Sequence, residues 1–228
     1  MSPTATEVCE SSELANVAAR RIAEALNEAI AAEGSASLAL AGGNTPRAVY
    51  EALAKISGLD WARISVYFGD ERAVPPTHPD SNFLMAQAAL FARVALPEAN
   101  IHRILAEQAD LDAVARAYEA LLPERISVMI LGIGEDGHTA SLFPGSPALS
   151  ERTRRVLPVI GPKPPPQRFS VTPPVIEAAR RIIVLATGAG KAEPVYLALR
   201  EPLDIQRTPS GLARNGLWLL DAAAAAKL

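Results

Sequence analysis

The sequence has very little cysteine, few aromatic residues and no long apolar run. Cys9 is the single cysteine among 228 residues, so we expect neither an internal disulfide nor a cysteine–histidine zinc site. No stretch approaches the roughly 18 uninterrupted apolar residues of a membrane span. The first ten residues carry two acids and no apolar core, so a signal peptide is not expected either. These features predict a soluble protein of a reducing compartment, the cytoplasm.

The sequence also lacks a strong charge of either sign. Its 22 Lys and Arg residues against 25 Asp and Glu give a formal net charge of -3, with no basic run. Binding to nucleic acid or to an anionic membrane is therefore not expected, and an anionic ligand would need a local cluster of cations. With 49% hydrophobic and 21% charged residues, the chain can bury a full core. We expect a single domain over residues 1–228, with its core over about 10–220, as a monomer or a small homo-oligomer.

Apolar strands alternate with amphipathic helices along the chain. Apolar spacing predicts a helix over 12–33, and SLALAGG predicts a buried strand over 37–43. A helix is expected next, with Thr45 as N-cap and Pro46 at its first position. Later segments such as ISVMILGIG and RRIIVLATG are apolar on both faces, which favours a parallel sheet covered on both sides. The pattern predicts an α/β fold, with the proline-rich residues 144–167 as a surface loop near the site.

Four polar motifs follow predicted strands. They are GGNTP, GDER, GEDGHT and GAGK, which begin at positions 42, 69, 134 and 188. The carboxyl ends of parallel strands share one edge of a sheet, so these loops are expected to border one crevice.

GGNTP has the features of an anion-binding turn. Gly42 and Gly43 allow the backbone to approach a ligand, and Asn44 and Thr45 open a helix whose free N–H groups attract an anion. An ordinary strand-to-helix turn with a threonine cap explains the same residues, so the motif alone leaves both interpretations open. Outside this turn, Lys191 and Arg168 are candidate countercharges, although each residue type is often a solvated surface charge.

Two nucleotide-binding interpretations fail on context. GIGEDG matches G-x-G-x-x-G, but its two acids would face a pyrophosphate, and prolines follow where a helix is required. GAGKA lacks the first glycine and the hydroxyl residue of a phosphate-binding P-loop. No cofactor and no metal are expected.

His138 is the candidate for proton transfer. Imidazole takes up a proton from water near neutral pH, and Asp136 in the same loop is placed to fix the tautomer of the ring. A purely structural loop, with an Asx turn at Asp136 and Gly137, remains the alternative. Among the GDER residues, Asp70 and Arg72 are candidates to face the crevice, Arg72 being the most useful for an anionic substrate. No G-x-S-x-G elbow occurs, so water is the expected nucleophile.

Taken together, LALAGGNTP, YFGDERAVPPTHPDSN, LGIGEDGHTASLFPG, RFSVTPPVI and ATGAGK resemble the 6-phosphogluconolactonase family in order and spacing. The resemblance implies a Rossmann-like three-layer sandwich and metal-free hydrolysis of 6-phospho-D-glucono-1,5-lactone in the pentose phosphate pathway. It also implies a catalytic role for His138, supported by Asp136. Backbone N–H groups of the Gly137 loop, or Arg72, are the candidates to hold the oxyanion of the substrate. The same resemblance suggests substrate-binding roles for six positions: Gly43, Asn44, Thr45, Arg72, Arg168 and Lys191.

Two other function classes stay open at this stage. A glucosamine-6-phosphate deaminase or a sugar phosphate isomerase shares the fold, although the deaminases typically have IAFNEP where TASLFPG follows His138 here. A non-catalytic sugar phosphate sensor would need a DNA-binding or partner-binding element, for which the chain has little room.

Overall fold

The computed structural model describes residues 5–228 as two sheets with helices packed around the larger one. The nine strands are β1 (Ala5–Cys9), β2 (Ala36–Leu40), β3 (Ile64–Phe68), β4 (Asp70–Arg72), β5 (Val128–Gly132), β6 (Val156–Ile160), β7 (Gln167–Val171), β8 (Arg181–Ala186) and β9 (Leu217–Asp221). The six α-helices are α1 (Leu14–Glu33), α2 (Asn44–Leu53), α3 (Asn82–Ala89), α4 (Leu111–Leu121), α5 (Pro173–Ala178) and α6 (Ala192–Leu199).

The central sheet has six strands in the order β1-β9-β8-β5-β2-β3, and every pair in it is parallel. All five residues of β2 are buried, as expected for a strand covered on both faces. Helix α1 buries its apolar stripe and ends at Gly34, whose φ of 81° permits the left-handed cap. The predicted α/β fold with a mainly parallel sheet is therefore confirmed.

A second, three-stranded antiparallel sheet in the order β4-β7-β6 corrects two sequence-based predictions. Residues 70–72 of the GDER motif form the short strand β4 and are not part of a loop. Residues 168–171 of RFSVT lie in β7, in this second sheet. Residues 144–167, predicted to be irregular, contain a 3-10 turn at Pro147–Ser150 and the whole of β6. Proline at position 158 masked β6 in the sequence, and it is tolerated because β6 is an edge strand.

The start of α2 also differs from the prediction. The helix begins at Asn44, with Gly43 at the N-cap and no side-chain cap, so Thr45 is not its N-cap. The reason is the backbone of Gly43, whose φ of 106° turns the chain two residues earlier than a cap at Thr45 would. At α3 the N-cap is Ser81, whose Oγ accepts from the N–H of Leu84 at 3.2 Å.

Two buried tyrosines hold the carboxyl ends of β2 and β3, next to the site. The Tyr50 hydroxyl donates to the carbonyl of Ala41 at 2.8 Å and accepts from its N–H at 2.9 Å. The Tyr118 hydroxyl does the same at Phe68, at 3.0 Å and 2.6 Å. Each hydroxyl satisfies two backbone groups where a strand leaves the sheet, so the following loop starts from a fixed point.

Candidate active site

The four polar motifs, one of which contains strand β4, meet at the carboxyl edge of the central sheet. They border a cleft of about 200 Å³, called here the His138 cleft, because parallel strands all end at this edge. Its lining residues come from these loops, from neighbouring strand ends and from β7: Ala41, Gly42, Gly43, Asp70, Arg72, Gly132, Ile133, Gly134, His138, Ala140, Arg168 and Lys191.

Two larger depressions on the surface have fewer side chains suited to catalysis. One, of about 740 Å³, is mostly apolar and proline-rich and touches the His138 cleft only through the loop of Asp136 and Phe143. The other, of about 900 Å³, lies near β1 and α1, where its charges pair with each other, as in Arg21 with Glu7. Neither brings a titratable side chain together with free cations as the smaller cleft does.

His138 and Asp136 form a hydrogen-bonded pair at the edge of the cleft. The Nδ1 atom of His138 lies 2.5 Å from Oδ1 of Asp136, which also accepts the N–H of His138 at 3.2 Å. The His138 side chain is 29% exposed. Its Nε2 atom makes no hydrogen bond to residues 5–228 and is not enclosed. One ring nitrogen is thus held by a carboxylate, while the other is open to the cleft solvent.

The Asp136 carboxyl is held in its charged form. Burial by itself would raise the pKa of Asp136, but the hydrogen bond and the charge of His138 outweigh it and lower the pKa to about 2. A carboxylate that stays ionised fixes the Nδ1–H tautomer of the imidazole and leaves Nε2 as the proton acceptor.

The loop around this pair is tightly turned. Gly137 has a φ of 84°, and its N–H donates to the carbonyl of Gly134 at 3.0 Å, while the N–H of Gly134 donates to the carbonyl of His138 at 2.8 Å. Ala140 follows with a φ of 48°, a left-handed conformation that costs about 1 kcal/mol or more in a residue with a side chain. The loop geometry therefore favours the placement of His138 over local backbone stability.

Three cationic side chains border the cleft opposite the pair. Arg168 is buried and donates to the carbonyls of Pro165 at 3.1 Å and Lys163 at 3.3 Å. Burial, and then the charge of Arg72, lower the pKa of Arg168. Arg72 donates to the carbonyl of Asp80 at 2.7 Å, but its Nε–H has no partner in the described part of the chain. With Lys191, these groups make a local positive site in a chain of net negative charge.

Asp70 reaches the same cleft but is held by neighbours. Its carboxylate accepts from Ser141 Oγ at 2.7 Å and from Asn82 Nδ2 at 3.3 Å. Glu71 points away from the cleft and accepts the N–H groups of Asn82 and Phe83 at the start of α3, both at 2.8 Å. Burial raises the pKa of Glu71, against the lowering effect of these hydrogen bonds. Of the two acids, only Asp70 is placed to meet a ligand.

Four residues that the sequence placed in the site do not line the cleft. Asn44 is exposed, and the hydroxyl of Thr45 pairs with that of Thr187 at 2.8 Å. Gly137 is buried behind the loop, with its N–H already donated, and Asp136 acts on the cleft through His138. The backbone of the 42–45 turn thus reaches the cleft mainly at its two glycines.

Sequence reasoning missed or undervalued several supporting residues. Ser141 holds Asp70 from 71 positions away. Thr187 ties Thr45, in the first turn of α2, to the loop after β8 from 142 positions away. Asn82, the first residue of α3, also holds Asp70. The signal in the sequence was their place inside the segments that carry the family resemblance, YFGDERAVPPTHPDSN, LGIGEDGHTASLFPG and ATGAGK.

Nothing in residues 5–228 resembles a metal centre, since no group of three or more His, Cys, Asp and Glu side chains is placed to hold an ion. No helix in the same residues has the length and apolar character to cross a bilayer.

The fold and the cleft define a Rossmann-like α/β protein with a histidine–carboxylate pair and a cluster of cations at the edge of its sheet. Such a site suits proton transfer on a small anionic molecule. The chain matches the family described as glucosamine-6-phosphate isomerases/6-phosphogluconolactonase over residues 10–218. It belongs to this family.

Individual relatives with known names are similar to this chain over nearly its whole length. The chain is 39% identical to the 6-phosphogluconolactonase of Streptomyces coelicolor, over 94% of this chain and 90% of the relative. It is 37% identical to that of Mycobacterium tuberculosis, over 94% of both. The solved 6-phosphogluconolactonase of Trypanosoma brucei superposes with a TM-score of 0.86 at 30% identity, over 99% of this chain and 98% of that one.

Proposed function

We propose that this protein hydrolyses 6-phospho-D-glucono-1,5-lactone to 6-phospho-D-gluconate, using His138 as the base that activates water. The observation that carries the proposal is the shared cleft, in which His138 faces the glycines of the 42–45 turn and three cations. Similarity to lactonases of bacteria and trypanosomes over nearly the whole chain supports the same reaction. The proposal includes a place in the pentose phosphate pathway, in the cytoplasm, acting without metal or cofactor as a monomer or small homo-oligomer.

The proposed chemistry is a general base step followed by a general acid step at one nitrogen. Nε2 of His138 takes a proton from water as the water oxygen bonds to the lactone carbonyl carbon. When the tetrahedral intermediate collapses, the bond to the ring oxygen breaks and that oxygen receives the proton from Nε2. Asp136 holds Nδ1 throughout and stabilises the imidazolium that forms between the two steps.

Arg72 is proposed to stabilise the negative charge that develops on the carbonyl oxygen. Its guanidinium borders the cleft, and its Nε–H is left without a partner in the described residues. A buried N–H group without an acceptor lowers the stability of the fold, so it is unusual in an arginine with a purely structural role. It is typical of a site in which a ligand supplies the acceptor. The N–H of Gly137, the other donor considered for this oxygen, is already engaged by Gly134.

The phosphate is proposed to lie against Arg168, Lys191 and the backbone of Gly42 and Gly43. Arg168 is held by two carbonyls, so it meets the ligand with little loss of side-chain freedom. Asn44 and Thr45 contribute the N-terminal end of α2, whose dipole favours an anion. Asp70, fixed by Ser141 and Asn82, is proposed to accept from a hydroxyl group of the sugar.

The test is a direct assay with freshly prepared lactone, following 6-phosphogluconate through a coupled dehydrogenase and subtracting spontaneous hydrolysis. We expect His138→Ala to lose about 100-fold or more of the enzymatic rate while keeping its thermal stability. A His138→Ala protein that is folded and as fast as the wild type would remove His138 from the mechanism.

The deaminase and isomerase alternatives are tested with the same preparation. The proposal would be wrong if the protein released ammonia from glucosamine 6-phosphate, or isomerised a sugar phosphate, faster than it hydrolyses the lactone. Binding of a sugar phosphate with no turnover of any of these substrates would favour a sensor.

A further inference from the structure

The imidazole of His138 lies in a slot with three sides. Asp136 holds it at Nδ1, the backbone of Gly134 lies against the edge that carries Nδ1 and Cε1, and the ring of Phe143 packs beside it. The ring centroids of His138 and Phe143 are 4.5 Å apart, with the planes inclined by 41°. We propose that Gly134 and Phe143 are positioning residues that fix the catalytic imidazole, an inference that rests on the proposed role of His138.

Gly134 acts through the space that it leaves. A Cβ atom built at this position would lie 2.1 Å from Nδ1 and 2.3 Å from Cε1 of His138, and 2.4 Å from Oδ1 of Asp136. All three of these nearest atoms belong to side chains, which move more readily than the loop backbone. We therefore expect an alanine at this position to displace the side chains of His138 and Asp136. The fold stays intact, but the imidazole leaves the position that it needs to act as a base.

Phe143 acts on two functional groups at once. The Phe143 ring contacts the imidazole of His138. It also contacts Arg168, whose Cζ atom lies 5.5 Å from the centroid of the Phe143 ring. The ring is 7% exposed. Gly161 closes the far side, since a Cβ there would lie 3.0 Å from Cε2 of Phe143 and 2.9 Å from Nε of Arg168. Phe143 thus sets the distance between the base and a phosphate ligand.

The sequence alone gave no indication of this arrangement. Phe143 follows His138 by five residues and returns to it because the N–H of Leu142 donates to the carbonyl of Thr139 at 2.9 Å. This turn brings the ring back onto the imidazole. Arg168 arrives from β7, in the other sheet.

The experiment measures kcat and KM for 6-phosphogluconolactone in Gly134→Ala and Phe143→Leu. For Gly134→Ala we expect kcat to fall by about 100-fold, the effect of displacing a reacting group by roughly 1 Å, with KM and thermal stability nearly unchanged. For Phe143→Leu we expect kcat to fall and KM to rise, because both His138 and Arg168 lose their support.

Two matched controls separate positioning from general damage. Gly69→Ala makes the same change where the new Cβ would meet only the Leu40 carbonyl, at an ordinary 3.5 Å. Phe91→Leu removes a ring that is equally buried, at 6% exposure, but packs against Phe68 and Phe83. We expect both controls to keep the wild-type kcat and KM, with Phe91→Leu losing stability.

A double substitution tests whether Gly134 acts through His138. In a His138→Ala background there is no imidazole to displace, so adding Gly134→Ala should change the residual rate by less than about twofold. A further large loss would show a structural effect and overturn the inference.

The remaining outcomes are also decisive. Wild-type kcat in a folded Gly134→Ala overturns the role of Gly134. If Gly134→Ala does not fold, the inference is tested by Phe143→Leu alone. An unchanged kcat in Phe143→Leu then overturns the proposal that these residues position His138. A fully active His138→Ala refutes the proposed function instead, which keeps the two failures distinguishable.

Discussion

Arg72 and Arg168 lie directly opposite each other on the antiparallel strands β4 and β7, and both border the His138 cleft. Like charges in such a cross-strand pair destabilise a sheet unless an anion lies between them. Burial lowers the pKa of Arg168, and the charge of Arg72 adds to the effect. The second sheet thus supplies a pair of cations that a doubly charged phosphate ester or an oxyanion would stabilise.

The cations of the proposed phosphate site should discriminate between two substrates. Arg168→Ala or Lys191→Ala is expected to raise KM for 6-phosphogluconolactone by about 10- to 100-fold, the range of a lost charge-assisted hydrogen bond. KM for unphosphorylated glucono-1,5-lactone should change little. Lys227→Ala is the control, since Lys227 is exposed and pairs with Glu193 outside the cleft. An equal rise in KM for both substrates would refute the phosphate role.

Asp136→Asn should lower kcat with little effect on KM. An amide in place of the carboxylate neither fixes the same tautomer nor stabilises the imidazolium, so a loss of about tenfold or more is expected. Steady-state kinetics at several pH values measures the effect. If kcat stays at the wild-type level across the pH range, Asp136 does not support the base.

The lowered pKa of Asp136 predicts how the free energy of unfolding depends on pH. This pKa lies at about 2, below the usual 3.8, so the folded state binds this proton less readily than the unfolded state. The stabilisation is complete above about pH 4 and is lost as the pH falls through 2. Because the side chain is 42% exposed, we expect only about 1 kcal/mol. The free energies of urea unfolding of the wild type and of Asp136→Asn should differ at pH 6 and converge as the pH falls towards 2. A difference that stays constant over this range would contradict the prediction.

Tyr118→Phe should destabilise the fold without touching the cleft. Removing the hydroxyl leaves the buried N–H and carbonyl of Phe68 unpaired, at a cost of about 1–3 kcal/mol. Tm should fall by about 2–10 °C in a chain of this length. Tyr196→Phe, where the side chain is only partly buried, is the control and should shift Tm less. Equal Tm values for the two variants would argue against the hydroxyl brace.

The motifs predicted the location of the site better than its contacts. His138, Arg72 and Lys191 were predicted to border one crevice because glycine-rich segments after apolar strands indicate loops at one sheet edge, and all three line the same cleft. The partners of Asp70 were not found, because Ser141 lies 71 residues away and no local pattern relates the two. The strand β6 was missed because its proline resembles a loop residue until the edge position of the strand is known.

The sequence by itself determined the alternation of strands and helices, the conformations of the glycine turns and the chemistry available in each loop. These depend on the properties of neighbouring residues, which hydrophobic period and backbone preference express directly. Only the tertiary structure decided that β4 and β7 pair, that Thr45 meets Thr187 and that Phe143 touches both His138 and Arg168. Such contacts join residues far apart in the chain, and they are set by strand order and packing, which local sequence does not specify.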